Sequence, residues 1–170
     1  SYSSKLPAAA SPAYTASIVI PDHGVGVPYP SSITLSDIAG VVGKVTVTLS
    51  NLSHSFPSDV NVLLVNPAGA SVLLMSHAGS AYAITNVTLT FDDAATNLLA
   101  NTARITSGTY LPSHYGKSVA FPSTAPSSPY GSSLSALEGT DPNGTWALYV
   151  LDDSTGDGGS IADGWSLSIT

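Results

Sequence analysis

The chain has 170 residues, enough for one buried core, and with 43% hydrophobic but only 9% charged residues its surface must be finished by Ser, Thr, Asn and Gly. A net charge of -7, from 11 acidic against 4 basic residues, argues against nucleic acid, which needs a basic footprint, and disfavours an anionic membrane surface. There is no cysteine, hence no disulfide or thiolate site, and no apolar run approaches the ~18 residues needed to span a bilayer. The chain does not start with Met and shows no charged-then-apolar leader, which predicts a processed or excised piece of a larger parent.

Residues 1–16, rich in Ser, Ala, Pro and Tyr without a usable period, read as a linker or loosely attached arm. Order is expected from Ser17, with a first strand over Ser17–Ile20 and a second, cleanly alternating one over Ser32–Ser36. Val41–Leu52 is the clearest strand: Val45, Val47 and Leu49 point one way, and Lys44, Thr46, Thr48 and Ser50 the other. Asp59–Val65 is a continuous apolar run, as expected of a central strand buried on both faces, and Asn66–Gly69 turns it into Ala70–Ser76 as a hairpin. Over Ala83–Phe91 a further strand is predicted, with Ile84, Asn86, Thr88 and Thr90 opposite Val87, Leu89 and Phe91. Residues 94–103 fit a helical turn or a loop, and 112–133, broken by Pro112, Pro122, Pro126 and Pro129, read as an irregular surface insertion.

Pro142, Asn143 and Gly144 make a tight turn, because Pro sets φ and Asn-Gly tolerates positive φ. The strand that follows puts Trp146, Leu148 and Val150 on one face and Thr145, Ala147, Tyr149 and Leu151 on the other. Residues 160–170 close the domain. About eight or nine strands, no heptads and no long amphipathic helix define an all-β sandwich.

Between the last two strands lie Asp152, Asp153, Asp157 and Asp163 among small residues. Four carboxylates in twelve positions repel one another unless solvated or shared by a cation, and calcium is the hard ion that takes such oxygens. These four form the first candidate metal site; the bland alternative is a solvated turn whose Asp side chains cap backbone N–H groups. Asp59 at the start of one strand and Asp92 and Asp93 at the end of another form a second candidate site, with Asp22 or Asp141 as further contributors if the fold gathers them.

His23, His54, His77 and His114 have no short metal-ligand spacing, each lies beside a turn, and a surface or partly packed role is expected. Ser76-His77 and Ser53-His54 are neighbours without a nucleophile elbow, and adjacent strand residues point to opposite faces, so a small hydrolase is a minor alternative. Trp146 and Trp165 read as core, whereas Tyr110, Tyr115 and Tyr130 in the irregular segment would line a binding face, as in a carbohydrate-binding jelly roll. Asn51, Asn86 and Asn143 begin acceptor sequons, a weak signal in a chain this rich in Ser and Thr.

Several motifs occur in one order. They are Asp-Pro-Asn-Gly-Thr-Trp-Ala-Leu at 141–148, Gly-Gly-Ser-Ile at 158–161, and Gly-Trp-Ser-Leu at 164–167. Upstream stand Ser-Asp-Val-Asn-Val-Leu-Leu at 58–64, Asn-Pro-Ala-Gly at 66–69, Thr-Phe-Asp-Asp at 90–93 and Ser-Gly-Thr-Tyr-Leu-Pro at 107–112. This ordered set, from about residue 18 to the end, resembles the P domain, or Homo B domain, that follows the subtilisin-like catalytic domain of kexin- and furin-type proprotein convertases, with related copies in secreted bacterial proteins. The resemblance implies a jelly roll over 17–170, an extracellular setting, calcium at strand ends, and a non-catalytic accessory role. The partner it implies is an adjacent domain of the same polypeptide, a subtilisin-like serine protease domain. The Ser/Pro-rich insertion and the lack of cysteine depart from the convertase pattern.

Overall fold

The computed structural model describes residues 6–170 and arranges thirteen strands in two mixed sheets packed face to face. The all-β sandwich expected from the alternation is present. The larger strand number arises because several edges are two- or three-residue pairings too short to leave a pattern: β1 (Ala13–Tyr14), β3 (Gly24–Val25), β9 (Gly108–Tyr110), β10 (Ser113–His114) and β12 (Gly159–Ile161).

The first sheet is built on β5 (Val45–His54). One edge of β5 pairs with β8 (Ile84–Phe91), and beyond it lies β9, parallel to β8. The other edge is shared: β13 (Trp165–Ile169) takes Val45–Leu49, and β12 takes Leu52–His54. β2 (Ile18–Ile20) extends β12, and β1 extends β13. The second sheet runs β10, β7 (Ser71–Ser76), β6 (Val60–Val65), β11 (Gly144–Asp152), and β11 in turn shares its outer edge between β4 (Ser31–Leu35) and β3. The β6–β7 pair is the expected hairpin.

Strand alternation decides the core, and two bulges reset it. In β5, Val45, Val47 and Leu49 face inward, but then Leu52 and His54 do so as well. Asn51 at φ 59 inserts the extra residue that shifts the parity. Asn86 at φ 51 does the same in β8, so Ile84 joins Leu89 and Phe91 on the buried face instead of opposing them. Thr48 and Thr90 bridge the wet faces of the two strands at 2.9 Å.

β11 is buried on both sides. Trp146, Leu148 and Val150 enter the core between the sheets, whose other large members include Trp165, Phe91, Leu64 and Met75. Ala147, Tyr149 and Leu151 face outward into a second apolar cluster with Leu63, Leu73, Val119 and Phe121. The expected surface insertion over 112–133 is irregular but is not loose: it is the lid on the outer face of the second sheet. Tyr29 donates to the Pro122 carbonyl at 2.7 Å and stands edge-on to Tyr149 at 5.0 Å, and burial and then the neighbouring Tyr149 and Tyr130 push its phenol up to about 12. Tyr130 anchors the same segment, its hydroxyl donating to Pro126 O at 2.9 Å and its ring edge-on to Phe121.

The N-terminal stretch also differs from a loose arm wherever it is described. Ala8 is buried, Ala8 N–H donates to Val41 O, Ala10 exchanges hydrogen bonds with Ile169, and β1 pairs with β13. Its small residues have no period because it lies along a sheet edge, with few side chains packed inward; residues 1–5 lie outside the described part. Gly164, at φ 73, makes this approach possible: a Cβ there would sit 1.9 Å from Tyr14 O. Similarly, a Cβ on Gly159 would meet Ser53 O at 1.9 Å, so two of the motif glycines seat β12 and β13 against their neighbours.

If the lid is part of the fold, Phe121→Ala should cost about 3 kcal/mol in urea unfolding, while Val27→Ala, at 60% exposure, should be close to neutral. Equal, near-zero effects would show that 112–133 only drapes the surface.

Candidate functional site

The inward face of β11 ends in a carboxylate. Asp152 follows Trp146, Leu148 and Val150 in parity and is fully buried, which an ionised group tolerates only with charge-bearing or hydrogen-bonding partners. His54, turned inward by the bulge at Asn51, supplies one. Its Nε2 lies 2.8 Å from Asp152 Oδ2, and its Nδ1 accepts from the Phe56 N–H at 3.0 Å. An acceptor at Nδ1 places the proton on Nε2, so His54 donates to the carboxylate as the Nε2–H tautomer. Ser154 N–H satisfies Asp152 Oδ1 at 3.0 Å. The expected surface or partly packed role for His54 is therefore corrected: both side chains of the pair are wholly enclosed.

A second pair lies beside it. His77, at φ 56 where β7 ends, points Nε2 at Asp153 Oδ2, 2.6 Å away, and Nδ1 at the Tyr115 carbonyl, 3.0 Å away. Both partners are oxygens, so each ring nitrogen faces an acceptor within hydrogen-bond distance. Ser76 Oγ comes within 3.2 Å of His77 Nδ1, so the two side chains do not diverge as strand alternation predicts; positive φ at His77 breaks the pleat. The contact does not activate the serine, because Ser76 is buried and its hydroxyl donates to Asn61 Oδ1 at 2.7 Å.

The acidic loop folds over this end. Asp22 Oδ1 accepts from the N–H groups of Gly156 and Asp157, and Ser55 Oγ donates to Asp157 Oδ1 at 2.8 Å. Asp59 differs from its neighbours. It is only 5% exposed, its carboxylate has no hydrogen-bond donor among the described residues, and it opens on a shallow cleft with Phe56, Ser154, Thr155 and Asp157. Burial, then the charge of Asp152, with smaller contributions from Asp157 and Asp153, pushes its pKa up to about 6, while His54 acts in the opposite direction.

The two candidate metal sets do not assemble as written. Of the first, Asp152, Asp153 and Asp157 share this end, but Asp163 sits in the β12–β13 turn, its N–H on Ser50 O and its carboxylate held by Asn51 Nδ2. That position is four residues up β5 from His54, about 13 Å of strand. Of the second, Asp59 is at the His54 end of β5, whereas Asp92 pairs with Lys44 at 3.0 Å at the other end, about 30 Å away along a ten-residue strand. Asp93 caps the 3₁₀ turn over Leu134–Leu137 through the Leu134 and Ser135 N–H groups. Asp141 is likewise engaged with Asn143. Among the described residues no three His, Asp or Glu side chains converge to hold a metal ion. What the fold gathers instead is Asp22, Asp59, Asp152, Asp153 and Asp157 around two histidines. Asn51 and Asn86, residue types that accept positive φ, are the sequence signal that could have flagged the bulges and hence His54.

The tyrosines are repositioned as well. Tyr115 packs against the core with its hydroxyl donating to Leu99 O at 2.6 Å, and Tyr110, whose hydroxyl donates to Thr106 O at 2.8 Å, is partly buried against the same core.

No protein-family model matches the chain, and no curated protein does. Among solved structures it is similar to a chain in the crystal structure of the Aeromonas sobria serine protease (ASP) and chaperone (ORF2) complex, with 17% identity and a TM-score of 0.45, over 96% of this chain and 26% of that chain. The chain thus spans about a quarter of the length of the protein it matches, and a likeness this distant carries no argument about activity.

Asp59 makes stability depend on pH in a defined direction. Below about pH 4 its carboxyl is neutral in both states; between 4 and 6 the folded protein retains a proton that the unfolded chain has released, so stability falls as pH rises, and above 6 the penalty is complete. Without divalent cation, Asp59→Asn should therefore stabilise by about 1 kcal/mol at pH 7.5, water at the cleft screening part of the penalty, and leave stability at pH 3.5 unchanged, read from thermal melts. A destabilised variant at pH 7.5 would mean that the carboxylate has a compensating partner.

Proposed function

We propose that the chain is a non-catalytic accessory module of a larger secreted protein, packed beside a subtilisin-like serine protease domain of the same polypeptide and supporting its folding or stability. The observation that carries this reading is the commitment of both His–Asp pairs to structure. His54 and His77 have each ring nitrogen engaged by Phe56, Asp152, Tyr115 or Asp153, and the one hydroxyl beside them, Ser76 Oγ at 3.2 Å from His77 Nδ1, is buried and donates to Asn61 instead. The motifs shared with P domains do comparable structural work. Asn143 brackets Ile38 by accepting from its N–H and donating to its carbonyl, Trp146 Nε1 donates to Pro142 O, and Trp165 Nε1 donates to Ser31 Oγ. Residues of this kind brace loops against sheets; they do not turn over a substrate. None of the helical segments described is long and apolar enough to cross a membrane, and export rests on the P-domain resemblance and the charge-poor, Ser/Thr-rich composition.

The reading includes a calcium ion at the acid-rich end. Asp59, whose carboxylate opens on the cleft with no protein donor among the described residues, and Asp157 across the same cleft would hold it, with water completing the oxygen shell. Calcium would supply the positive charge that the surrounding carboxylates lack. Its role here is to brace the loop after β11 against the start of β6, a substitute for the disulfides the chain does not have.

Two measurements test this. Chelation at pH 7.5 should lower Tm and added calcium should restore it, with Asp59→Asn abolishing the response; an identical Tm at saturating chelator removes the ion from the account. Separately, the subtilisin-like domain of the parent polypeptide should regain activity after unfolding in greater yield with this module attached than without it. Equal recovery, or turnover of ester or peptide substrates by the isolated chain, would overturn the accessory role.

A further inference from the structure

The segment 112–133 leaves a cleft on the outer side of the second sheet, which adjoins the acid-rich end only through His114, whose ring centroid lies 6.4 Å from that of His77. Two lobes, of about 360 and 270 Å3, meet at Leu73, His114 and Tyr130. The first continues over Val119, Pro129 and the hydroxyls of Ser118 and Ser128; the second continues over Leu98, Pro112 and Ser132. Leu73 forms the floor because the edge of β7 is met there by two separate pieces of chain. β10 pairs with Met75 and Ser76, whereas Gly131 pairs with Val72, and the two pieces stand apart above the strand.

The lining has an unusual chemistry for this protein. In a chain with 11 acids, residues 112–133 contain one charged side chain, Lys117, and no Asp or Glu. No charged residue lines either lobe. A phosphate, carboxylate or ammonium ligand would lose its hydration there without gaining a counter-charge. The polar groups that are present are neutral and available. His114 donates from Nε2 to Lys117 O at 3.0 Å, which leaves Nδ1 as an acceptor, and the hydroxyls of Ser118, Ser128 and Ser132 make no protein hydrogen bond among the described residues. Tyr130 is held rigid by its bond to Pro126 O and its packing on Phe121, so it forms a fixed wall with no ordering cost on binding.

We propose that this cleft binds a neutral saccharide chain. A sugar ring presents flat C–H faces, which match Leu73, Tyr130 and the proline rings, and a rim of hydroxyls, which match serine hydroxyls and an imidazole acceptor. Two lobes joined at Tyr130 and His114 suit successive sugar units rather than one. The site is independent of the calcium reading, since it shares no residue with the Asp59 cleft, and it gives an accessory module a means of holding its parent protein on a glycan surface.

Isothermal titration calorimetry with cellohexaose, xylohexaose, maltohexaose and chitohexaose should give saturable binding to at least one, and none to an oligogalacturonate of similar length. His114→Ala and Leu98→Ala, both at exposed positions, should each weaken that binding about tenfold with Tm unchanged. Absence of heat with all four neutral sugars, preference for the charged oligomer, or binding indifferent to both substitutions would overturn the assignment without touching the accessory role.

Discussion

The burial of β11 on both faces is the constraint from which the rest of the molecule follows. A strand that carries Trp146, Leu148 and Val150 on one side and Ala147, Tyr149 and Leu151 on the other cannot sit at a half-wet sheet surface. It needs a facing sheet and a separate outer cover. The first is provided by β5, β8 and β13; the second by a largely irregular, proline-rich stretch that pairs with β7 only at β10 and Gly131 but brings Val119, Phe121 and Tyr130 onto the strand. Apolar burial at roughly 25 cal/mol per Å2 is thus collected twice by a single strand, and two layers of core are held in register by it.

The same strand creates the electrostatic character of one end. Because Asp152 falls on the inward parity, a carboxylate is carried into the core, and the bulge at Asn51 delivers His54 to meet it. Asp153, one residue on, reaches the other way and engages His77. The first pairing joins β11 to β5 in the facing sheet and pins the two layers together, and the second ties the end of β11 to the end of β7 within its own sheet. Asp59 is the residue that this arrangement leaves uncompensated. Its proximity to Asp152 is dictated by the β6–β11 register, in which Val60 lies opposite Asp152, and burial first, then that neighbouring carboxylate, raises its pKa.

Much of the architecture was legible in the residues. The alternation in β5, the continuous apolar run of β6, the turn into β7, and the two faces of β11 all follow from patterns of period two and from Pro, Asn and Gly at turns. The short edge strands were not, since two or three residues carry no period. The candidate site was legible only in its composition. That many acids concentrate near residues 152–163 is visible; that Asp163 belongs to a different turn, that Asp22 and Asp59 join instead, and that Asp92 and Asp93 stand at the far end of β5 is not.

By itself the sequence determined the class of fold, the identity of the central strands and the nature of the surface, because these depend on local periodicity and on the ratio of apolar to charged residues. Only the tertiary structure decided which carboxylates share an end, which histidines are enclosed, and that 112–133 covers a core. Those outcomes depend on strand register and on single-residue bulges at Asn51 and Asn86. A shift of one residue exchanges the two faces of a strand, and no local pattern records it until the neighbouring strands are in place.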